Sequence, residues 1–257
     1  MTRYPFEGKT ALISGAAGGI GSAIARTFAR EGAQLVLLDL RAKPLEALAE
    51  ELRASGVEVI VLPADITSSD SLRTAFAELV SKVSCLHAMI NSAGLLRQGS
   101  IEILSESDWD GMMAVNVKGI FLSIKFALPL LKAAKGASVV NLSSVAAFVG
   151  SDDSFAYSTS KGAVLSMTYG LAQELAPYQI RVNAICPGWV DTGFTDQVKQ
   201  QSTNPQEIDR LARKAHLLGR MARPDEIGEA AIFLASDSAS FITGTSLYVD
   251  GGFMIKR

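Results

Sequence analysis

Tyr157 and Lys161 are the residues whose types and spacing are best suited to chemistry. They lie four apart in the stretch Y-S-T-S-K, and a Ser-Ser pair, Ser143 and Ser144, ends an apolar run before them. If the chain is helical from about Ser154, the phenol and the ammonium share a helix face, one turn apart. A free phenol has a pKa of about 10, and a nearby ammonium lowers it. The pair is thus a candidate for proton transfer, although this spacing alone is weak because both residues are common on helices.

The composition restricts the class of protein. The chain has 257 residues, 48% hydrophobic and 19% charged, which suits one α/β domain with a substantial core. The net charge is −2 and no basic block is present, so we expect no nucleic-acid partner. The longest charge-free candidate, at 136–151, is too short and too polar to span a membrane, so no membrane partner is expected.

The cysteines, the histidines and the first residues bear on metal binding and on the cellular compartment. The start M-T-R-Y-P-F-E-G-K-T has no apolar signal-peptide core. Cys85 and Cys186 have neither disulfide nor metal spacing. His87 and His216 are far apart, and each is expected to be a packing or surface residue. We therefore predict no metal site and a reducing, cytoplasmic setting.

Short apolar runs alternate with helical patterns along the chain. Strands are predicted at 9–14, 35–38 (closed by Asp39), 57–62, 86–90, 138–142, 180–185 and 245–249. The first helix is predicted to end near 32 and the second to span 44–54. The third runs from a cap at Thr67 or Ser68 to about 82, and the fourth from a Ser105 capping box to about 134. The Tyr157 helix is predicted to end at about 176, before Pro177, and the last helix to begin at Pro224. This alternation predicts a Rossmann-type, doubly wound parallel sheet of about seven strands with helices on both faces. We predict a single domain, 1–257, with a substrate lid at about 191–219.

A glycine-rich turn, S-G-A-A-G-G-I-G, joins the first predicted strand to the first helix. Its Gly15, Gly19 and Gly21 allow close approach of a pyrophosphate, which the helix N-terminus attracts. Asp39 ends the second strand 18 residues after Gly21, where a carboxylate accepts hydrogen bonds from the adenosine ribose and repels a 2′-phosphate. Arg41 is the one nearby cation, and its positive charge weakens the prediction that a 2′-phosphate is repelled. The pattern favours NAD over NADP as the cofactor.

At this point the chain resembles the short-chain dehydrogenase/reductase family, in its single-domain, NAD-preferring branch. The resemblance covers nearly the whole chain, and Ser144 precedes Tyr157 by 13 residues, the family's spacing for its catalytic serine. The motifs that carry it are S-G-A-A-G-G-I-G, Asp39, Asp65, N-S-A-G at 91–94, Asn116 in V-N-V-K-G, Ser144, Y-S-T-S-K, P-G-W-V-D-T at 187–192 and the closing V-D-G-G. Two departures are Ser14, where threonine is usual, and Ser92, where asparagine is usual; the second puts a structural hydrogen bond in doubt.

The resemblance implies a role for each matching residue. Tyr157 is the general acid/base, and Lys161 lowers its pKa and holds the nicotinamide ribose. Ser144 positions the substrate oxygen, and Asn116 supports a water that relays protons from Lys161. The residues implied in cofactor binding are Gly15, Gly19, Ile20, Gly21, Asp39, Asp65, Ile66, Asn91, Ala93, Gly94, Tyr157, Lys161, Pro187, Gly188, Val190 and Thr192. Asp65 and Ile66 would meet the adenine, and Thr192 the carboxamide end.

The implied reaction is reversible hydride transfer between nicotinamide and a secondary alcohol or ketone. An NADPH-dependent 3-oxoacyl-thioester reductase and a non-catalytic NAD-sensing protein are the alternatives; Asp39 argues against the first, and the presence of both Tyr157 and Lys161 against the second. The substrate stays open. The lid's polar residues, Gln197, Lys199, Gln200, Gln201, Arg210, Arg213 and Lys214, do not form an obvious carboxylate or phosphate clamp. Phe148, Phe155, Trp189 and Phe194 lie near the expected substrate mouth.

Family resemblance further implies a homotetramer, with a dimer as the alternative. One interface would involve the long helix from Ser105 and the Tyr157 helix. The segment 249–257 would form another.

Overall fold

The computed structural model describes residues 4–150, 152–193, 195 and 205–256. Seven parallel strands form one sheet in the order β3-β2-β1-β4-β5-β6-β7. Their bounds are β1 Thr10–Ser14, β2 Gln34–Asp39, β3 Val59–Pro63, β4 Ala88–Asn91, β5 Ser138–Leu142, β6 Arg181–Pro187 and β7 Ser246–Val249. The predicted Rossmann-type α/β sheet is confirmed.

Helices cover both faces of this sheet. They are α1 Gly19–Arg30, α2 Ala42–Ala54, α3 Ser69–Leu79, α4 Glu106–Met113, α5 Gly119–Ala133, α6 Phe155–Leu175, α7 Pro205–Ala215 and α8 Pro224–Ala235. A π-helical turn, Ala114–Lys118, joins α4 to α5, so the long helix predicted from Ser105 is continuous but not uniform. Of the residues described, this 28-residue segment is the one helix long and apolar enough to cross a membrane, and half of its most apolar window is buried inside the protein.

Alternate residues of β1 to β5 enter two separate cores. In β1, Leu12 packs on the face covered by α3, α5 and α6, and Ile13 packs on the face covered by α1, α2 and α8. Residues of β1 and β5 are buried throughout. Burial on both faces explains why these strands are continuous apolar runs without polar alternation.

Hydrogen bonds at the element ends explain most boundaries. Ser68 and Ser105 cap α3 and α4 as predicted, each accepting a bond from the backbone three residues on. The strands β3 and β4 begin two residues later than predicted. The Val57 N–H bonds to the Leu52 carbonyl at the end of α2, and the Leu86 N–H bonds to the Leu130 carbonyl of α5. Apolar character alone does not show that these two N–H groups are bonded to helices.

Candidate active site

The strand order places the turns after β1, β4, β5 and β6 together at the carboxyl edge of the sheet. The chain reverses its direction of travel across the sheet at β1, which pairs with β2 on one side and β4 on the other. In open parallel sheets this switch point is where a crevice forms and ligands bind. Residues far apart in sequence therefore meet here.

The glycine turn after β1 is as crowded as a phosphate-binding turn requires. Gly15 has φ +69°, and a Cβ there would lie 2.5 Å from the Ala93 nitrogen. A Cβ on Gly21 would lie 2.1 Å from the Gly15 carbonyl oxygen, and one on Gly19 would lie 2.8 Å from the Thr192 side chain. Side chains are excluded at all three positions, so the backbone at the start of α1 is open to a close ligand. Ile20 follows in the first turn of α1.

Asp39 is fixed against this turn. Its carboxylate accepts hydrogen bonds from the Ala17 and Arg41 backbone N–H groups, both at 3.0 Å. The Arg41 Nε lies 3.2 Å from the same carboxylate, and the rest of the Arg41 side chain is more than half exposed. A negative group and a positive group therefore stand side by side where the adenosine ribose is expected.

Asp65 and Ile66 follow β3 at the same edge. One carboxylate oxygen of Asp65 accepts from the Thr67 backbone N–H at 2.8 Å and from its hydroxyl at 2.7 Å, which orders the turn before α3. Ile66 is buried against Gly119, where a Cβ would lie 2.7 Å from the isoleucine Cδ1. Gly119 thus makes room for Ile66 at the start of α5.

Asn91 is buried at the end of β4. Its side chain is fully buried and donates to the Asn141 Oδ1 at 2.8 Å, and Asn141 in turn donates to the Thr168 hydroxyl on α6. The residues after it bring the next turn into the site, because Ala93 contacts Gly15. The Ser92 backbone N–H bonds to the Ser14 carbonyl, so the two departures from the family pattern meet through main-chain atoms.

The two serines after β5 have different partners. The Ser143 hydroxyl donates to the Lys161 carbonyl at 2.9 Å and is buried in helix packing. Ser144 accepts from the Ala146 N–H at 3.1 Å and is hydrogen-bonded to the Tyr157 hydroxyl. Geometry therefore places Ser144, and not Ser143, beside the phenol.

Lys161 is buried one helical turn beyond Tyr157. Its Nζ donates to the Leu142 carbonyl at 2.7 Å and lies 5.6 Å from the centre of the Tyr157 ring. Burial lowers the pKa of Lys161 to about 8, and the electrostatic interaction with Cys186 opposes this lowering. Burial raises the pKa of Tyr157 to about 12, although the Ser144 hydrogen bond opposes this.

In the chain alone, burial raises the pKa of Tyr157, so the lowering expected from Lys161 together with a bound cofactor's positive ring is not reached there. The ammonium is bound by a carbonyl and is itself destabilised by burial, so desolvation of the phenolate dominates. A pKa near neutrality needs further positive charge in the site.

Asn116 lies inside the π-helical turn and joins three segments. Its Oδ1 accepts from the Leu95 N–H at 2.7 Å, and its Nδ2 donates to the Leu95 carbonyl and the Ser160 hydroxyl, both at 2.9 Å. A Cβ on Gly94 would lie 3.7 Å from the Lys161 Nζ and 3.8 Å from the Asn116 Oδ1. The structure thus brings Asn116 and Lys161 to the same side of the turn after β4.

The turn after β6 closes the crevice from the opposite side. The Gly188 N–H bonds to the Val249 carbonyl of β7, and Val190 forms a β-bridge with Ala222. Pro187 ends β6, and Thr192 packs on Gly19, as described above. His216 is buried, as expected of a packing residue, and its Nε2 accepts from the Trp189 N–H of this turn. Sequence reasoning did not find this contact, because the two residues lie far apart in sequence and no local motif links them.

Aromatic residues flank the same edge. Phe148 packs edge-on against Tyr248 at 5.1 Å, and Trp109 stacks on Phe155 at 6.0 Å; Tyr248 was not among the predicted mouth residues. Of the predicted lid, the structure describes residues 191–193 and 195, α7 and the turn to Gly219. Phe194, Gln197, Lys199, Gln200 and Gln201 lie outside the described residues.

Comparisons with known proteins agree with this geometry. A family model described as enoyl-(acyl carrier protein) reductase matches residues 15–254. Oxidoreductase UcpA of Escherichia coli K12 is 41% identical over 248 residues, 95% of this chain and 94% of that protein. The 3-oxoacyl-[acyl-carrier-protein] reductase FabG of Thermotoga maritima is 34% identical over 249 residues, 97% of this chain and 99% of that protein. The 2-(S)-hydroxypropyl-CoM dehydrogenase 3 of Xanthobacter autotrophicus is 39% identical over 243 residues, 93% of this chain and 94% of that protein.

These matches cover almost the entire chain and relate it to reductases and dehydrogenases. The chain therefore belongs to the short-chain dehydrogenase/reductase family, and it is an oxidoreductase acting on CH–OH groups.

Proposed function

We propose that this protein is an NAD(H)-dependent oxidoreductase that interconverts a secondary alcohol and a ketone. The observation that carries the proposal is the hydrogen-bonded Ser144–Tyr157 pair, with Lys161 one turn further along α6. This group stands at the edge of the sheet where the glycine turn after β1 also lies. A proton-transfer group beside a dinucleotide-binding turn is what hydride chemistry on an alcohol requires.

The residues present fit a dinucleotide. The glycine turn has no room for side chains and leads directly into the N-terminus of α1, where free backbone N–H groups attract a pyrophosphate. Asp39 would bind the adenosine ribose, Ile66 would contact the adenine, and Thr192 the carboxamide end. When bound, the nicotinamide exchanges a hydride with substrate carbon and, in its oxidised form, adds positive charge.

Each member of the proposed catalytic group has a defined task. In oxidation Tyr157 takes the proton of the substrate hydroxyl as the carbon loses its hydride, and in reduction it returns that proton to the carbonyl oxygen. Ser144 hydrogen-bonds the same oxygen and stabilises the charge that develops there. Lys161 holds the nicotinamide ribose and favours the phenolate. Asn116 orders the turn at Leu95 and supports the relay of protons to solvent.

Asp39 supports NAD as the cofactor. Its carboxylate is fixed by two backbone N–H groups and cannot turn away from the ribose without losing both. A 2′-phosphate would face this carboxylate, and like charges at such a distance repel. Arg41 favours the second candidate, an NADPH-dependent 3-oxoacyl-thioester reductase, because its largely exposed guanidinium could reach a phosphate. The similarity to FabG supports that candidate too.

A homotetramer is also proposed, and an apolar groove supports it. The groove, of about 770 Å³, lies between the long helix and α6. It is lined by Met113, Val117, Phe121, Leu128, Met167 and Leu171, with charges of both signs at its rim. An apolar surface of this kind suits a second copy of the chain. Sedimentation of Leu171→Glu should show smaller particles than wild type; a wild-type monomer would refute the assembly. We place the enzyme in the cytoplasm, which its unpaired cysteines support.

The test is reduced-cofactor formation with NAD+ and NADP+ in parallel. The substrate panel comprises secondary alcohols, cyclic alcohols, polyols, sugars and hydroxyacyl thioesters. Tyr157→Phe removes only the hydroxyl, and we expect turnover to fall by about 10²–10⁴-fold, the usual contribution of a general acid/base, while NADH still binds.

Asp39→Ser and Arg41→Ala are the matched pair for cofactor choice. The first should raise NADP+ use relative to NAD+, and the second should lower any NADP+ use while sparing NAD+. Preference of the wild type for NADP+ with hydroxyacyl thioesters would favour the second candidate. Tight NADH binding with no turnover of any substrate class would count against the enzyme and for a sensing role.

A further inference from the structure

His216 lies where three segments at the carboxyl edge of the sheet meet. It directly follows α7, its ring packs on the turn after β6, and it contacts the chain end after β7. The side chain is only 2% exposed. The proposed chemistry gives this buried histidine no task.

Both ring nitrogens have partners that fix the tautomer. Nδ1 lies 2.7 Å from the Ala212 carbonyl oxygen, and Nε2 lies 3.1 Å from the Trp189 backbone nitrogen. A carbonyl oxygen only accepts and a backbone N–H only donates, so Nδ1 carries the proton and Nε2 is the acceptor. The ring is therefore neutral and bonded at both nitrogens, once within its own segment and once to the turn after β6.

The ring also fills the space between that turn and the chain end. A Cβ on Gly188 would lie 2.4 Å from the His216 Nε2, so a side chain there would displace the ring. Gly251, with φ +55°, approaches the ring from the chain end, and the Phe253 ring lies 5.7 Å away between centroids. The imidazole thus determines how closely the turn and the chain end approach each other.

Further bonds join the end of α7 to the chain end. The Leu218 N–H bonds to the Gly251 carbonyl at 3.1 Å. The Lys256 ammonium donates to the Lys214 carbonyl and, at 3.3 Å, to the His216 carbonyl. His216 accepts from the Trp189 N–H, whereas the Trp189 carbonyl is bonded by the Ala222 N–H.

We propose that His216 is a positioning residue for the nicotinamide end of the cofactor site. Through Nε2 it holds the peptide between Gly188 and Trp189 in the conformation in which the turn after β6 receives that ring, and it ties this turn to α7. The inference rests on the proposed function, because Pro187, Gly188 and Thr192 are assigned to the cofactor there. His216 itself is assigned no contact with cofactor or substrate.

Replacing His216 by asparagine or by glutamine tests its two hydrogen bonds one at a time. In His216→Asn the amide nitrogen takes the place of Nδ1 and keeps the bond to Ala212, but the Trp189 N–H loses its acceptor. In His216→Gln the amide oxygen takes the place of Nε2 and keeps the bond to Trp189. Each variant loses one bond and ring volume, so a purely structural role would affect both alike.

The readout is equilibrium binding of NADH compared with ADP-ribose, which lacks the nicotinamide ring. We expect His216→Asn to weaken NADH binding about tenfold and to leave ADP-ribose binding unchanged, since a buried N–H is left without its acceptor. His216→Gln should retain NADH affinity to within about threefold. His87→Asn, at the opposite edge of the sheet, is the control, and its ratio of the two affinities should equal that of the wild type.

An unchanged ratio in His216→Asn, or the same ratio in both His216 variants, would overturn the positioning role while the proposed function stands. A wild-type protein that binds neither NADH nor ADP-ribose would overturn the proposed function, and this inference with it.

Discussion

Replacing Lys161 by methionine should make the protein more stable near neutral pH while abolishing turnover. Lys161 is buried, and its pKa is lowered from 10.5 to about 8 in the folded protein. Burying the charged ammonium therefore costs free energy in the folded state. Methionine, similar in length but uncharged, does not have this cost.

The magnitude follows from the size of the shift. A difference of 2.5 pKa units between 10.5 and about 8 corresponds to about 3 kcal/mol, since one unit is worth about 1.4 kcal/mol. The lost bond to the Leu142 carbonyl offsets about 1–2 kcal/mol of this. Lys161→Met should thus be more stable than wild type by about 1–2 kcal/mol at pH 7.

The sign of the pH dependence is fixed by the direction of the shift. Between pH 8 and 10.5 the unfolded chain binds a proton at Lys161 that the folded chain releases, so wild-type stability from this residue rises with pH. This pH-dependent contribution to stability is fully present above pH 10.5 and is lost as the pH falls through 8. Tyr157 acts in the opposite direction above pH 10, because its pKa is raised to about 12. Its contribution largely cancels when the variant is subtracted from the wild type.

The assay is urea unfolding of both proteins at one protein concentration, at four pH values from 6.5 to 10.5. The difference in free energy of unfolding should favour Lys161→Met at low pH and should reverse above about pH 10, where only the lost hydrogen bond remains. A difference that does not change with pH would refute the reasoning, because methionine packing has no pH dependence of its own. A variant that becomes relatively more stable as the pH rises would refute its sign.

Two further predictions test neighbouring parts of the site. Ser144→Ala should reduce turnover by about 10²–10³-fold, the usual effect of removing one donor to a developing oxyanion, whereas Ser143→Ala should lower stability by about 1 kcal/mol and leave turnover within a few-fold; the reverse pattern in steady-state kinetics would exchange the two roles. Gly21→Ala should abolish cofactor binding in a fluorescence titration, because its Cβ would lie 2.1 Å from a carbonyl oxygen, whereas Gly170→Ala, with nothing within 4 Å of its Cβ, should stabilise the protein by about 0.5–1 kcal/mol. Normal NADH affinity in Gly21→Ala would contradict the crowding argument.

Most of the fold could be predicted because its strands are buried on both sides. A run such as V-V-N-L in β5 has few alternatives once glycine turns and capped helices bound it. The π-helical turn at Ala114–Lys118 was not predicted. A π-helical turn is a single-turn bulge within an α-helix, and no residue type in A-V-N-V-K marks where it occurs. Its consequence is local: it places Asn116 within reach of both Leu95 and Ser160.

The candidate site was predicted as a set of residue types, and less well as a set of contacts. Motif spacing selected Ser144 over Ser143, and the structure places Ser144 beside the phenol. Motif spacing gave no indication that the Asn91 amide is hydrogen-bonded to Asn141, or that His216 contacts the turn after β6. Both contacts join segments with no sequence relation to each other, so only the assembled sheet reveals them.

The unexpected direction of the Tyr157 pKa also bears on how the proposed enzyme is controlled. A phenol with a pKa of about 12 beside a lysine with a pKa of about 8 is a poor base at neutral pH. Burial therefore disfavours the phenolate in the chain alone, and the positive charge of an oxidised nicotinamide would favour it when the ring lies beside the phenol. Proton transfer would then be coupled electrostatically to cofactor binding. It follows that any residue that places the nicotinamide ring, as we propose for His216, also influences the pKa of Tyr157 without touching it.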